Sequence, residues 1–259
     1  MAKVAVIISG QLRNWKIALE NQKWFFSTTG DEVDYFVHTW DYSMDRPGLS
    51  KDYNYRDVTP EEFKEFVDAY KPKKFILDKK KQEFFYDNDH WSSLFYSLSQ
   101  SIMLKREYEI ENNFEYDVVF KTRPDVCFNP AEPIKWEPME DNMFMYTHGG
   151  YMEHEFYSFN INDCVFGCNS YTMDMLANLY FFRQYQIHDK VERDYNPNFN
   201  AVGPGVLMHD YMREYGITPF KGLDFIETLV KEGCPEDLHL LNVEHWKIME
   251  KYFRNWYHN

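Results

Sequence analysis

The sequence lacks the short motifs that mark the commonest nucleotide-binding and hydrolytic folds. The first apolar run, Val4–Ser9, is not followed by a G-x-G-x-x-G fingerprint, which argues against a nicotinamide or flavin dinucleotide fold. The absence of a G-x-x-x-x-G-K-[ST] loop excludes P-loop kinases. The G-x-S-x-G nucleophile elbow of many hydrolases is missing as well.

Positive charge and long apolar runs are also scarce. The chain has 42 acidic and 28 basic residues and a formal net charge of −14. This balance argues against general binding to nucleic acid or anionic membranes, because both require a positive face, although a local basic pocket for one phosphate group is still allowed. No run of about 18 apolar residues is present and the N-terminus has no cleavage-like tail, so we expect no membrane span and no secretion.

Cysteines are few, and their scattered positions do not form a disulfide framework, so a reducing, cytoplasmic location is expected. The four are Cys127, Cys164, Cys168 and Cys234. Cys164 and Cys168 have a zinc-like spacing, as do His148 and His154 before them. Because the histidines come first and Cys164 lies in an apolar run, buried free thiols are the favoured interpretation.

The chain does contain enough apolar material for a large core. It has 259 residues, of which 44% are hydrophobic and 19% aromatic. Strand-like and helix-like patterns alternate through the first half, which predicts an α/β fold with a central, mostly parallel Rossmann-like sheet and helices on both faces. The predicted strands are 4–9, 33–38, 73–77 and 118–120, and the predicted helices are 14–28, 60–70 and 92–112.

Two helices of this first half carry more detailed predictions. The stretch Thr59-Pro60-Glu61-Glu62 is a capping box that opens the helix at 60–70. The buried positions predicted for the helix at 92–112 are Phe95, Leu98, Ile102, Tyr108 and Ile110. The polar segment 41–58 between strand and helix is long enough to suggest a functional excursion.

Polar side chains follow three of the predicted strands at the point where each strand ends. Ligands of parallel sheets bind beyond the carboxyl ends of the strands, so these three exits are expected to form one binding site. The residues predicted to bind a nucleotide there are Ser9, Gly10, Arg13, His38, Trp40 and Arg123, with Asp125 as a metal ligand.

Each exit residue suits a defined chemistry. Arg13 and Arg123 carry planar forks that match phosphate, and Gly10 lets a backbone N–H approach a phosphate closely. Trp40 suits stacking on a base or a sugar, and the Asp125 carboxylate suits Mg²⁺ or Mn²⁺ under a diphosphate. Taken singly, each has an ordinary alternative: Arg13 as a surface residue, Trp40 as core, and Arg123 with Asp125 as a plain ion pair.

Four segments, in this order and spacing, resemble the GT-A-type glycosyltransferases of bacterial surface-polysaccharide clusters and large DNA viruses. They are "VAVIISGQLR", "VDYFVHTWD", "YDVVFKTRPDVCF" and "INDCVFGCNSYTMDML", and the resemblance covers roughly residues 3–232. It implies a single GT-A-like domain over 1–259, with a nucleotide-binding half at 1–128 and an acceptor-binding half at 129–232. A C-terminal helical tail is expected at 233–259, its helix at 243–257.

The resemblance also implies roles for individual residues. In that family the last carboxylate of a D-x-D or degenerate x-x-D motif holds the divalent metal, and Asp125 stands at this position. Arg123 stands where the first Asp usually is. This departure implies either weaker binding of Mn²⁺ or Mg²⁺, or an arginine that takes over part of the charge neutralisation.

The second half is expected to supply the acceptor site. Residues 146–163 are rich in Gly, Tyr and His and predict a loop or hairpin that lines a pocket, because sugars pack on aromatic faces. Asp163 is the candidate to contact the sugar or deprotonate the acceptor, with a turn before a strand at 164–166 as its alternative. Near the predicted helix 206–215, His209 and Asp210 are weaker candidates for the base. His239 and His245 are candidate late metal ligands, with surface histidines as the alternative.

Together these features predict a glycosyltransferase that moves a sugar from a nucleoside-diphosphate sugar to a hydroxyl of a glycan or similar acceptor, assisted by a metal. Two alternatives stay open. One is a non-catalytic protein that binds nucleotide sugars or glycans on the same fold. The other is a metal-dependent nucleotidyltransferase or phosphohydrolase, which usually clusters further carboxylates close in sequence.

Overall fold

The computed structural model of the chain describes residues 2–27, 32–45, 54–79, 90–130, 138–148, 161–188, 204–220 and 225–229. Its helices are α1 (Trp15–Ser27), α2 (Pro60–Tyr70), α3 (His90–Asn112), α4 (Ser170–Leu176), α5 (Leu179–His188) and α6 (Pro204–Glu214). Its strands are β1 (Val4–Ser9), β2 (Val33–Trp40), β3 (Tyr42–Asp45), β4 (Asn54–Asp57), β5 (Lys74–Asp78), β6 (Val118–Thr122), β7 (Val126–Pro130), β8 (Met143–His148), β9 (Ile161–Cys168), β10 (Thr218–Phe220) and β11 (Phe225–Leu229).

A seven-stranded sheet in the order β10-β8-β9-β6-β1-β2-β5 forms the centre of the fold. All neighbouring pairs are parallel except those of β9, which runs antiparallel to both β6 and β8. The prediction of an α/β fold with a mostly parallel sheet is therefore confirmed. The sheet joins strands of both predicted halves, 1–128 and 129–232.

Strand β1 is buried on both faces, as its unbroken apolar sequence predicts. Val4, Val6 and Ile8 pack with the residues of α1 and α2. Ala5 and Ile7 point to the other face, into the core that α3 to α6 cover. Helices thus cover both faces of the sheet at β1 and shield the interior strands from water.

The helix starts follow local chemistry. Thr59 is the N-cap of α2, and its side-chain oxygen accepts a hydrogen bond from the Glu62 backbone N–H at 3.1 Å. The Glu62 carboxylate instead binds Arg56 of β4, at 2.7 and 3.0 Å. In the second half, Asn169 caps α4, and its side-chain oxygen accepts from the Thr172 N–H at 2.9 Å.

One predicted core position of α3 is wrong. Phe95, Leu98 and Ile102 are buried, but Ile110 is 70% exposed. A helix returns to the same face after seven residues, so the position that follows Ile102 on the buried face is Glu109. Glu109 is indeed buried, where it is paired with a lysine.

The second half differs from its prediction in one strand. β9 begins at Ile161, so Asp163 lies inside a strand and not in a turn before it. β8 and β9 form the two sides of an antiparallel pair with a register irregularity between Tyr146 and His148. Gly167 of β9 faces Phe120 of β6, and a Cβ there would lie 2.6 Å from the phenyl ring, so the close strand approach requires glycine.

Several other expectations meet the structure only in part. Cys127, Cys164 and Cys168 are free thiols, and two of them are buried, as expected. No helix among the described residues is long and apolar enough to cross a membrane. The predicted excursion at 41–58 contains the paired strands β3 and β4. The predicted tail helix lies outside the described residues, as do His154, Cys234, His239 and His245.

Candidate functional site

The carboxyl ends of β1 and β6 meet at the point where the direction of the sheet order reverses. The chain adds β2 and β5 on one side of β1 and then crosses to place β6 on the other side. Ile8 pairs with Thr122, so the exits after the two strands lie side by side. Such a switch point is where open α/β sheets leave a crevice for ligands.

A carboxylate and two guanidinium groups meet at this edge. Arg123 donates from Nε to Asp125 Oδ1 at 2.9 Å and from Nη2 to Oδ2 at 2.8 Å, a bidentate pair. Arg13 Nε lies 3.6 Å from the same Oδ2. We call Arg13, Arg123 and Asp125 the arginine cluster; it unites two of the three predicted strand exits.

The arginine cluster is buried around its carboxylate and open at its cations. The Asp125 side chain is 6% exposed, against 16% for Arg123 and 27% for Arg13. Burial raises the pKa of Asp125, but the charges of Arg123 and Arg13 outweigh it, so this pKa lies below its ordinary value. Asp125 therefore stays ionised and fixes the two arginines.

Two polar residues of α1 hold the turn that carries Arg123 and Asp125. Gln22 Nε2 donates to the carbonyl oxygens of Arg123 at 2.8 Å and Val126 at 2.7 Å. Asn21 donates to the Phe128 carbonyl at 2.9 Å and accepts from the Phe128 N–H at 2.6 Å. The backbone of the turn is thereby fixed to a helix that packs on the sheet.

Sequence reasoning missed these two residues, although the sequence contains a signal for them. Asn21 and Gln22 follow Ala18 by three and four positions, and Phe25 and Phe26 come one turn later. All five residues are buried. Polar residues on the apolar stripe of an amphipathic helix have to find buried partners. The pattern predicts that such partners exist, but not which ones.

Gly10 begins the exit from β1. Its φ of +127° lies in the region that side chains disfavour, so the turn requires glycine there. Its N–H donates to the carbonyl oxygen of His38 at 3.2 Å, so the exit of β1 is tied to β2. Ser9 is buried and pairs with His38. The predicted phosphate contacts of Ser9 and Gly10 stay predictions.

The third predicted exit lies in the interior. His38 is fully buried, with Nδ1 2.8 Å from Ser97 Oγ and Nε2 3.2 Å from Asp78 Oδ2. Trp40 is buried as well, and its ring meets the His38 ring edge-on at 5.1 Å. His38 and Trp40 thus lie in the interior, and His38 pairs with Ser9 at the end of β1. Their nucleotide contacts stay predictions.

A buried lysine joins β6 to β9, which belongs to the predicted acceptor half. Lys121 of β6 is fully buried and donates to the backbone carbonyls of Asp163 and, at 3.3 Å, Cys164. Burial lowers its pKa to about 8. The Asp163 carboxylate interacts electrostatically with both Lys121 and Arg123, so the predicted acceptor residue lies beside the predicted nucleotide residue.

The local charge has the opposite sign from the whole chain. The arginine cluster itself has two cations, Arg13 and Arg123, and one carboxylate, Asp125, an excess of one positive charge. The chain as a whole carries −14. A positive, partly exposed group at a strand edge of an acidic protein suits an anionic ligand.

Asp210 lies in a different setting. It is on α6, where its Oδ1 lies 3.5 Å from Arg213 Nη2 and 3.8 Å from His209 Nδ1. These partners belong to its own helix. The structure therefore gives Asp163, and not Asp210, a link to the arginine cluster, and the catalytic role of Asp210 stays a prediction.

The surroundings of Asp125 do not fit a divalent metal in this arrangement. Both of its oxygens accept from Arg123, and Arg13 adds a second cation. Two unit charges 4 Å apart interact by about 4 kcal/mol at an effective dielectric constant of about 20, and the repulsion is doubled for a dication. Within the described ranges, no group of three or more His, Cys, Asp or Glu residues is placed to hold a metal. The Mn²⁺ or Mg²⁺ cofactor stays a prediction.

Comparison with known proteins does not assign the chain to a family. No protein-family model matches this sequence, and the search of curated proteins found no match.

Proposed function

We propose that this chain is a GT-A-like glycosyltransferase, which moves a sugar from a nucleoside-diphosphate sugar to a hydroxyl of a glycan or similar acceptor. The observation that carries the proposal is the meeting of Arg13 and Arg123 on one carboxylate at the switch point of the sheet. Ligands of this sheet type bind at that edge. The resemblance of the sequence to sugar-nucleotide enzymes adds the ligand class.

A diphosphate fits this edge by charge and by shape. Each guanidinium presents a planar set of donors that matches two phosphate oxygens, and both arginines are part-exposed while Asp125 holds them. The excess positive charge around them offsets part of the charge of the ligand. The sugar then extends toward the start of β9, where Asp163 lies.

The proposed reaction assigns one group to each charge that develops. The acceptor hydroxyl oxygen attacks the anomeric carbon, and the bond from that carbon to the diphosphate oxygen breaks. The hydroxyl proton passes to Asp163, and the bond electrons leave with the nucleoside diphosphate beside Arg13 and Arg123. Lys121 keeps Asp163 in place through the backbone carbonyls of Asp163 and Cys164.

A second candidate is a non-catalytic protein that binds the same class of nucleotide sugars. The bidentate pairing of Asp125 with Arg123 favours it, because both oxygens of the carboxylate that would hold a catalytic metal are engaged by an arginine. Both candidates predict ligand binding at the arginine cluster. Only the transferase predicts release of a nucleoside diphosphate.

A panel assay tests the proposal. The full chain is mixed with UDP-, GDP-, dTDP-, ADP- and CMP-linked sugars, and its melting temperature and the release of free nucleotide are measured with and without glycan acceptors. At a ligand concentration of about 100 times Kd, we expect one diphosphate-linked donor to raise the melting temperature by about 5–10 °C. We also expect that donor to release its nucleoside diphosphate.

Two arginine variants locate the effect. Arg13→Met removes a part-exposed member of the arginine cluster and is expected to abolish the shift. Arg213→Met, on the outer face of α6 and 75% exposed, is the matched control and is expected to keep it. A shift without nucleotide release under any acceptor supports the binding protein. No shift with any donor contradicts both candidates.

A further inference from the structure

We propose that Asp125 orients Arg13 and Arg123, and that these two guanidinium groups, not a divalent cation, hold the diphosphate of the donor. The inference rests on the proposed function. It differs from the expectation of a metal at Asp125, and it follows from how the three side chains are arranged.

The Arg123–Asp125 pair engages only one edge of the arginine guanidinium. Arg123 uses Nε and Nη2, one edge of its guanidinium, for the two carboxylate oxygens. Its Nη1 points to Cys164 Sγ at 3.7 Å, and a thiol is a weak acceptor. The second edge of the guanidinium is thus available for a stronger acceptor, such as a phosphate oxygen.

The turn that carries Arg123 and Asp125 is held rigidly. Gln22 holds the carbonyls of Arg123 and Val126, and Pro124 restricts the backbone between Arg123 and Asp125. The ion pair is therefore built into the fold before any ligand arrives. Donors that are already oriented bind and stabilise charge without further reorganisation.

Arg13 adds a second cation at the same carboxylate. It reaches Asp125 from the exit of β1, on the neighbouring strand, and it is the most exposed of the three side chains. One carboxylate oxygen, Asp125 Oδ2, thus brings together two cations from the exits of adjacent strands, Arg13 at 3.6 Å and Arg123 at 2.8 Å. Because both guanidinium groups lie against the same oxygen, one ligand with two linked phosphates can contact both.

A divalent ion at Asp125 would have to share or displace the hydrogen bonds from Arg123 and would lie next to two guanidinium groups. The structure therefore predicts that nucleoside diphosphates bind in the absence of metal. The two assignments for Asp125 also predict different results when its charge is removed. If Asp125 orients the arginines, removing its charge weakens nucleotide binding even without metal. If Asp125 is a metal ligand, removing its charge weakens binding only when metal is present.

The experiment is isothermal titration of UDP, GDP, dTDP and ADP into the full chain, in EDTA and in excess MnCl₂. We expect the preferred nucleotide to bind in EDTA with a Kd within about threefold of that in Mn²⁺. Asp125→Asn keeps the shape of the side chain and loses its charge, and it is expected to weaken binding about tenfold in both buffers. Titration of Mn²⁺ alone, followed by its electron paramagnetic resonance signal, is expected to show no ion bound at stoichiometric affinity.

The control variant is Asp117→Asn, at the opposite end of the same two strands, where the Asp117 carboxylate accepts from the Lys3 N–H at 2.7 Å. It is expected to leave the Kd unchanged. Binding that needs Mn²⁺, with Asp125→Asn removing only the Mn²⁺-dependent part, would overturn the inference and leave the proposed function standing. Failure of every nucleotide to bind in both buffers would overturn the proposed function and the inference together.

Discussion

Two buried groups of charges in this fold use similar chemistry and have different surroundings. The arginine cluster lies at the carboxyl ends of β1 and β6. The second group, which we call the lysine network, consists of Lys105, Glu109, Ser170 and Asp174. Lys105 Nζ lies 2.8 Å from both Glu109 Oε2 and Asp174 Oδ1, and Ser170 Oγ donates to Glu109 Oε1 at 2.6 Å.

The lysine network buries its cation, whereas the arginine cluster buries its carboxylate and leaves its cations partly exposed. Lys105 is fully buried, and its partners join α3 to α4. Burial raises the pKa of Asp174 above its ordinary value despite Lys105, whereas at Asp125 two arginines outweigh burial. Buried charge alone therefore does not identify a ligand site. The location at a strand edge and the part-exposed donors distinguish the arginine cluster.

The largest effect on stability is expected from Lys105→Met. This change leaves Glu109 and Asp174 without their buried cation, and such losses cost about 3–5 kcal/mol of unfolding free energy. Urea unfolding measures it, with Lys64→Met in the exposed Lys64–Asp68 pair as a control that changes stability by under about 0.5 kcal/mol. Because Lys105 is fully buried and paired with Glu109 and Asp174, the affinity of the folded variant for a nucleoside diphosphate is expected to be unchanged. A weakened affinity would break the distinction between the two groups.

An intermediate effect is expected from Gln22→Leu. It leaves the carbonyl oxygens of Arg123 and Val126 without their side-chain donor, which is expected to destabilise the chain by about 2 kcal/mol. Because the turn then loses its anchor, diphosphate affinity is expected to fall as well. Gln184→Leu, which removes one bond to Ser92, is the matched control and should leave affinity intact. Equal affinities in the two variants would show that the Gln22 anchor does not preorganise the site.

The smallest effect is the pH dependence contributed by Lys121. Its pKa is about 8 in the folded chain and 10.5 as the ordinary value. Between these values the unfolded chain holds more protons, so stability rises with pH. We expect the folded chain to gain about 1 kcal/mol from pH 7.5 to 9 relative to Lys121→Met, as measured by urea unfolding at each pH. If the free energies of unfolding of the two proteins change equally with pH, Lys121 is not a buried, easily deprotonated group.

Local patterns predicted much of the fold because they depend on neighbours in sequence. The unbroken apolar run of β1 and the capping residue Thr59 required no knowledge of tertiary partners. Ile110 and Asp163 were misplaced for the opposite reason. The buried face near the end of α3 is occupied by Glu109, which pairs with Lys105 of the same helix and with Ser170 of α4, and the start of β9 depends on its pairing with β8.

At the candidate site, the sequence predicted which strand ends meet better than it predicted the side-chain contacts. The exits of β1 and β6 meet as expected from a parallel sheet, because strand order determines which ends are adjacent. Whether Asp125 faces an arginine or is free for a metal depends on side-chain positions across two strands. The support from Gln22 and the link from Lys121 to β9 depend on tertiary contacts in the same way.

The most direct test of the central claim is a crystal structure of the chain with the nucleoside-diphosphate sugar that raises its melting temperature most, grown in MnCl₂. We expect diphosphate oxygens about 2.7–2.9 Å from guanidinium nitrogens of both Arg13 and Arg123, with Asp125 still paired to Arg123. A diphosphate bound away from these arginines would contradict the claim. A Mn²⁺ ion between Asp125 and the diphosphate would contradict the role assigned to that carboxylate.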